Sequence, residues 1–237
     1  MKETIQNKIW VKVASKQKSL GGWTIYPNRL SLTDIIILRE DSIQFIEVSW
    51  EYNHKTSYAL NADTIALPEK ETIINILEYT EDYLKLRNGE DEFEYAGREI
   101  THEELNQDSA TNDLTALTAQ LVGRVWTEEL EIPQDTTEVS SYNSIESLLF
   151  YNELITPLPK EFAYKSMLRI CHQPILGTKV WLPDNGITGW RLYTVHDYII
   201  LHQFVQETGR KNYFFEWISE SKFSLIDRES KIFKTAK

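Results

Sequence analysis

The chain has 237 residues, 41% hydrophobic and 26% charged, and its 36 acidic against 25 basic side chains leave a formal net charge of −11. That composition belongs to a globular protein with room for one large domain or two small ones. Apolar runs such as Ile35-Ile36-Ile37-Leu38 fall far short of the roughly 20 residues a membrane-spanning helix needs, and the single cysteine, Cys171, excludes an internal disulfide.

The opening, Met1-Lys2-Glu3-Thr4-Ile5-Gln6-Asn7, has neither the basic start nor the apolar core of a secretory signal, so a cytoplasmic location is expected. From Ile5-Gln6-Asn7-Lys8-Ile9-Trp10 onward the texture is β. Val, Ile, Tyr, Phe, Trp and Thr are frequent, and strand-length runs are broken by Gly21-Gly22, Pro27-Asn28, Asn61-Ala62-Asp63 and Asn88-Gly89. The last pair is the cleanest hairpin signal, since a tight turn needs positive φ angles; Tyr83 to Arg87 and Glu92 to Tyr95 would be its strands. In the first of these Leu84 and Leu86 share one face while Tyr83, Lys85 and Arg87 share the other, as in a strand with one side in a core and one in water.

Thr101-His102-Glu103-Glu104 carries the spacing of a helix capping box, and Leu114, Leu117 and Leu121 recur at helical spacing ahead of Gly123. Residues 101–120 are therefore expected to form a helical linker. After it the opening returns: Leu121-Val122-Gly123-Arg124-Val125-Trp126 repeats the aliphatic, basic, β-branched and tryptophan positions of Ile5 to Trp10. Glu146-Ser147-Leu148-Leu149-Phe150-Tyr151-Asn152-Glu153 resembles Asp34 to Asp41. Leu192-Tyr193-Thr194-Val195-His196-Asp197-Tyr198-Ile199-Ile200-Leu201 resembles Leu77 to Leu86, and Phe215-Glu216-Trp217 resembles Phe93-Glu94-Tyr95. Four matches in one order read as an internal duplication, with a first copy over 1–100 and a second over 121–237. Half-buried sequential strands must stack or close to hide their edges, and each copy has room for about eight short strands. The expected fold is mainly β: two antiparallel up-and-down β-barrels in tandem, joined by a short helical linker.

Acidity is concentrated in the first half, where residues 1–118 hold 21 acids and 12 bases; within it the window 69–104 has twelve acids against Lys70, Lys85, Arg87 and Arg98. Such a field repels nucleic acid and would steer a basic protein, or else serves as a solvated face. Glu90, Asp91 and Glu92 are its candidate contacts. No glycine-rich phosphate loop, paired-cysteine metal site or nucleophile elbow is present, so neither catalysis nor a cofactor or metal is expected. Cys171-His172 would point to opposite faces of a strand, and Cys171 is expected in a core. His196 and His202 share a strand register, which invites a metal or acid-base reading, but Asp197 sits where a short carboxylate serves a turn. Among seven tryptophans and twelve tyrosines, Trp10 and Trp126 are expected as packing anchors, and Tyr52, Tyr58, Trp181 and Trp190, which flank turns and polar runs, are the aromatic candidates for a binding surface.

The recurring order of an aliphatic residue and early tryptophan, an aliphatic strand with polar residues after it, a Leu…Asp-Tyr…Leu block and an aromatic strand resembles the bacterial lipocalin-like, calycin-type β-barrel domains, once per copy. The resemblance implies a tryptophan packed at the closed barrel end against a basic residue from a late strand, a part Arg98 would play in the first copy; the second copy has Ile218-Ser219-Glu220-Ser221-Lys222 there, with Lys222 displaced, and leaves the matching role open. It also implies binding rather than catalysis, with an apolar small molecule in the barrel or a partner protein at its rim. The other reading is an immunity-type protein that neutralises a basic toxin through the acidic face of the first copy.

Overall fold

The structure is a computed structural model that describes residues 2–16, 34–48, 52–100, 114–129, 144–154, 164–174, 182–205 and 209–235. Two compact units divide the chain, Met1–Asp108 with Arg210–Tyr213, and Ser109–Gly209 with Phe214–Lys237. Among the described residues no helix is long and apolar enough to cross a membrane.

In the first unit a short helix, α1 (Lys2–Ile5), leads into β1 (Lys8–Lys16), followed by β2 (Ile35–Leu38), β3 (Ser42–Glu47), β4 (Tyr52–Ser57), β5 (Ala59–Leu60), β6 (Thr64–Leu67), β7 (Thr72–Tyr79), β8 (Tyr83–Asn88) and β9 (Asp91–Glu99). These make one sheet in the order β4-β3-β2-β1-β9-β8-β7-β6-β5. Alternation directs one face inward, where Trp10, Ile36, Leu38, Ile43, Phe45, Ile65, Leu67, Ile74, Ile76, Leu84, Leu86, Phe93 and Tyr95 join Ile5 in a single buried cluster. The hairpin between β8 and β9 turns one residue later than the sequence suggests: Asn88 stays in the ladder opposite Asp91, and Gly89 takes the first central position with φ +63°, where a type II′ turn wants glycine.

The first copy is not the closed barrel expected from sequence. Its edge strands, β4 and β5, follow each other with Tyr58 alone between them, and among the described residues no ladder pairs one with the other. The sheet is a half-barrel whose two edges are linked by the chain at Tyr58 and not by a strand ladder. A side-chain bond from Thr56 Oγ1 on β4 to Glu69 Oε2, 2.8 Å long, ties that edge to the 3-10 turn at Pro68–Lys70 instead.

In the second unit α2 (Leu114–Leu121) precedes β10 (Val125–Glu128), β11 (Ser144–Leu154), β12 (Tyr164–Pro174), β13 (Leu182–Val195), β14 (Tyr198–Val205), β15 (Gly209–Ser219), β16 (Lys222–Ile226) and β17 (Ser230–Thr235), and the eight strands close into an antiparallel barrel in chain order. Five aromatic rings pack together in it: Trp126 lies 4.8 Å from Phe223 and 5.6 Å from Trp217, and Phe223 stacks on Phe215 at 5.0 Å and Phe233 at 5.4 Å. α2 covers the leucine repeat that the sequence reads as helical, whereas residues 101–113, with the Thr101 capping box, lie outside the described residues.

The end that receives the helix is built alike in both units. Trp10 Nε1–H donates to the Ile5 carbonyl at 2.9 Å, and Trp126 Nε1–H to the Leu121 carbonyl at 3.2 Å. Asn7 and Gly123 between them both have positive φ. Lys8 Nζ donates to the carbonyl of Glu81, and Arg124 Nη1 to that of Glu220 at 3.1 Å; the N–H of Gly97 bonds Asp82 O at 2.8 Å and that of Thr235 bonds Ser221 O at 3.1 Å. Trp10 is opposite Ile36 and Gly97, while Trp126 is opposite Leu148 and Thr235, which puts Asp34–Leu38 and residues 146–150 in matching register. The Leu77–Leu86 and Leu192–Leu201 segments hold different places. β8 borders β9, the neighbour of β1, but β14 lies between β13 and β15, so the hairpin that occupies the β7–β8 place is β15–β16. Likewise Phe93-Glu94-Tyr95 is on β9, whereas Phe215-Glu216-Trp217 is on β15.

Candidate functional site

The aromatic residues chosen from sequence do not come together. Tyr58 is a corner brace: its hydroxyl donates to the Arg39 carbonyl at 2.6 Å and accepts from Gln6 Nε2 at 2.6 Å, and burial raises its pKa above the ordinary value. Tyr52 opens β4, Trp190 is buried on β13 opposite Gln203, and Trp181 lies outside the described residues. His196 sits in the turn between Val195 and Tyr198 with φ 51°, so it does not share a strand with His202, which is buried opposite Arg191. Cys171 and His172 are consecutive on β12, in register with Ser147 and Glu146. Among the described residues no three His, Cys, Asp or Glu side chains are grouped as metal ligands.

Arg98 does not reach the early tryptophan. It pairs with Ile9 while Gly97 pairs with Trp10, which puts Arg98 on the opposite face. The cation over the Trp10 ring is Lys8, 5.9 Å from its centroid. In the second unit Lys222 and Lys234 both engage Glu129, and their hydrogen bonds hold its carboxyl below the usual range.

Three of the polar groups in the half-barrel interior carry charge or can acquire it. Lys12 and Tyr95 are opposite each other on β1 and β9, and Asp34 stands just before β2, in phase with Ile36. Lys12 Nζ lies 3.4 Å from Asp34 Oδ1 with the carboxylate fully buried, and Asp34 Oδ2 accepts the Val48 N–H at 3.1 Å. The ammonium also sits 5.9 Å from the Phe93 ring centroid. Burial first, and then the Asp34 charge, push the Tyr95 phenol well above its ordinary value. Asn212, which packs with this unit, donates to the Lys12 carbonyl at 2.9 Å. Trp10, Phe45, Phe93 and Tyr95, at 0–2% exposure, are buried on the same inner face of the sheet.

The outside of the same unit carries the acidic segment. Glu90 is exposed at the β8–β9 turn, and Asp91 and Glu92 are half-buried. Lys85 Nζ is 3.1 Å from Glu92 Oε2 and 3.8 Å from Glu94 Oε1, and the hydrogen bond to Glu92 raises the lysine pKa. Glu92 is therefore committed to a neighbour within the sheet. Farther along, Glu69, Glu71, Glu78, Glu81 and Asp82 are all exposed at the two ends of β7. Between them β7 exposes Ile73 by 61%, Leu77 by 37% and Tyr79 by 40%. Sequence reading passed over these three because Thr72–Tyr79 has apolar residues on both faces, the pattern of a strand buried on both sides.

No protein-family model matches the chain, and neither curated proteins nor solved structures include a significant match to it.

Proposed function

We propose that this chain is a non-catalytic binding protein made of two lipocalin-like modules, the first of which captures a basic partner protein through its acidic outer face. The tandem reading is supported by the recurrence of the helix end, the positive-φ residue, the basic side chain on a turn carbonyl and the indole bond in both units. The observation that carries the choice of partner is the set of exposed carboxylates at the two ends of β7 and at the β8–β9 turn, against an inner face whose large aromatic side chains are buried. An apolar ligand needs a cavity with convergent polar groups; on the inner face of the half-barrel Lys12 and Asp34 face each other. Long-range attraction to a basic surface accelerates encounter and penalises acidic competitors, which fits an immunity-type role against a basic toxin.

The test compares two triple variants with equal net charge. Glu71→Lys, Glu78→Lys and Glu81→Lys reverse the face of the first unit; Glu216→Lys, Glu220→Lys and Glu229→Lys reverse exposed carboxylates of the second. Each is titrated with poly-lysine and with a long-chain fatty acid at low and high salt. Loss of salt-sensitive poly-lysine binding in the first variant and its retention in the second is the expected result. Equal loss in both reduces the effect to net charge, and saturable fatty-acid binding by wild type would return the function to the barrel interior.

A further inference from the structure

We infer that Ile73 and Leu77 on the outer face of β7 are the apolar centre of a docking surface for a basic protein segment that brings apolar side chains of its own, flanked by lysines or arginines. This rests on the proposed capture of a basic partner and adds where and how the contact is made. Two of the five exposed large hydrophobic side chains among the described residues share this one face. Single exposed apolar residues are ordinary on protein surfaces, but a group on one element, rimmed by charge, is the pattern of an interaction patch.

Strand geometry defines the patch. Ile73 is opposite Ala66 of β6, on the face away from the buried Ile74 and Ile76. Leu77 is the extra residue of a bulge, since Ile76 pairs with Leu86 and Glu78 with Lys85. Alternation with the inward Ile74 and Ile76 already places Leu77 outward with Ile73; the bulge adds Glu78, opposite Lys85, to that face and returns Tyr79, opposite the buried Leu84, to the core side. At about 3.3 Å per residue, Ile73 and Leu77 stand about 13 Å apart along the strand, a span suited to two or three side chains of an approaching segment.

Charge selects the occupant. Glu69 and Glu71 stand before the apolar residues, and Glu78, Glu81 and Asp82 after them. The cations of the neighbourhood are Lys70, Lys85 and Arg87, of which Lys85 is held by Glu92 and Glu94. A second copy of the chain would bring the same carboxylates against this rim, and an anionic membrane would bring phosphates, so like-charge repulsion disfavours both. A segment with apolar side chains between cations satisfies centre and rim together, the apolar contacts supplying most of the affinity and the charges the encounter rate.

The probes are a peptide of alternating lysine and leucine and one of equal charge with serine in place of leucine. They are titrated into the full chain and into the double variant Ile73→Thr with Leu77→Thr, which has β-branched side chains suited to a strand at both positions. Tyr79→Ser, on the other face of β7, is a control expected to leave both affinities unchanged, and the melting curve of each protein guards against misfolding. The lysine–leucine peptide is expected to bind wild type at least about tenfold more tightly than the lysine–serine peptide, with that advantage lost in the double variant while lysine–serine binding stays the same. If both peptides bind equally and the variants change nothing, the apolar centre is wrong although capture through the acids stands. Absence of any binding by either peptide would remove the capture of basic partners altogether. A wild-type dimer in light scattering that the double variant dissolves would assign the patch to self-association and overturn the proposal.

Discussion

Gly97 lies against the Trp10 indole so closely that a Cβ at Gly97 would come within 2.5 Å of Trp10 Cζ3 and 2.8 Å of Cε3. The ring is rigid, fully buried and fixed by its N–H bond to Ile5, so it has little freedom to move aside. Gly97→Ala is expected to destabilise the first unit by about 1–3 kcal/mol through overpacking, read as a lower urea midpoint. The glycine is needed for space under the ring, and an unchanged midpoint would mean that the indole can shift.

The two indole bonds make a matched pair of tests. Trp10→Phe and Trp126→Phe each remove the donor to a helix-end carbonyl and leave that acceptor buried, at a cost of about 1–3 kcal/mol. Gly123 has φ +79° with open space around its Cβ direction, so Gly123→Ala meets backbone strain of about 1–2 kcal/mol without a clash. At the corresponding Asn7, φ 56° is already borne by a side-chain residue, and Asn7→Gly should be close to neutral. Urea unfolding of the four variants, followed by tryptophan fluorescence, checks the set; a destabilising Asn7→Gly would show that the asparagine side chain has a further role.

How far the sequence carried the fold depended on the range of the signal. Local alternation in Tyr83–Arg87 and the leucine spacing before Gly123 gave strand and helix, because neighbouring residues determine both. The repeated opening was legible because Trp10 and Trp126 meet the same local partners. Closure of the first sheet was not, since it depends on whether strands at opposite ends of the sheet pair, and local alternation does not report that. The Leu192–Leu201 match misled because a Leu…Asp-Tyr…Leu block is what any half-buried hairpin offers, and strand order is non-local. For the site, net acidity was readable, but the exposure of Ile73 and Leu77 and the meeting of Lys12 with Asp34 depend on which elements pack over them. A lysine in phase with Trp10 on β1 was the signal available for that ion pair.

The Lys12–Asp34 pair should behave as a buried ion pair that is costly to break from one side. Lys12→Met leaves the fully buried Asp34 without its counter-charge and is expected to cost about 3–5 kcal/mol. Asp34→Asn keeps an acceptor for the Val48 N–H but removes the negative charge that faces the ammonium. The double variant Lys12→Met with Asp34→Asn should lose clearly less than the two single losses added, and a double-mutant cycle in urea measures the difference. Additive losses would mean that water screens the pair and that the half-barrel interior is open there, which would also weaken the case against an interior ligand.

Tyr95 links that interior to alkaline stability. Its phenol, opposite Lys12 and near Asp34, is kept neutral in the folded chain well above 10.0, chiefly by burial, whereas in the unfolded chain it ionises near 10.0. Between those two values the unfolded state has lost a proton that the folded state retains, so stability falls as pH rises, by up to about 1.4 kcal/mol per pH unit. Below 10.0 both states hold the proton and the contribution is fully present. Tyr58, raised mainly by burial, acts in the same direction. Tyr95→Phe removes the titrating group, so the gap in unfolding free energy between variant and wild type should be constant below pH 10 and then move steadily in favour of the variant above it. Parallel declines for the two proteins above pH 10 would show that Tyr95 ionises as readily folded as unfolded, a result only a solvated half-barrel interior could give.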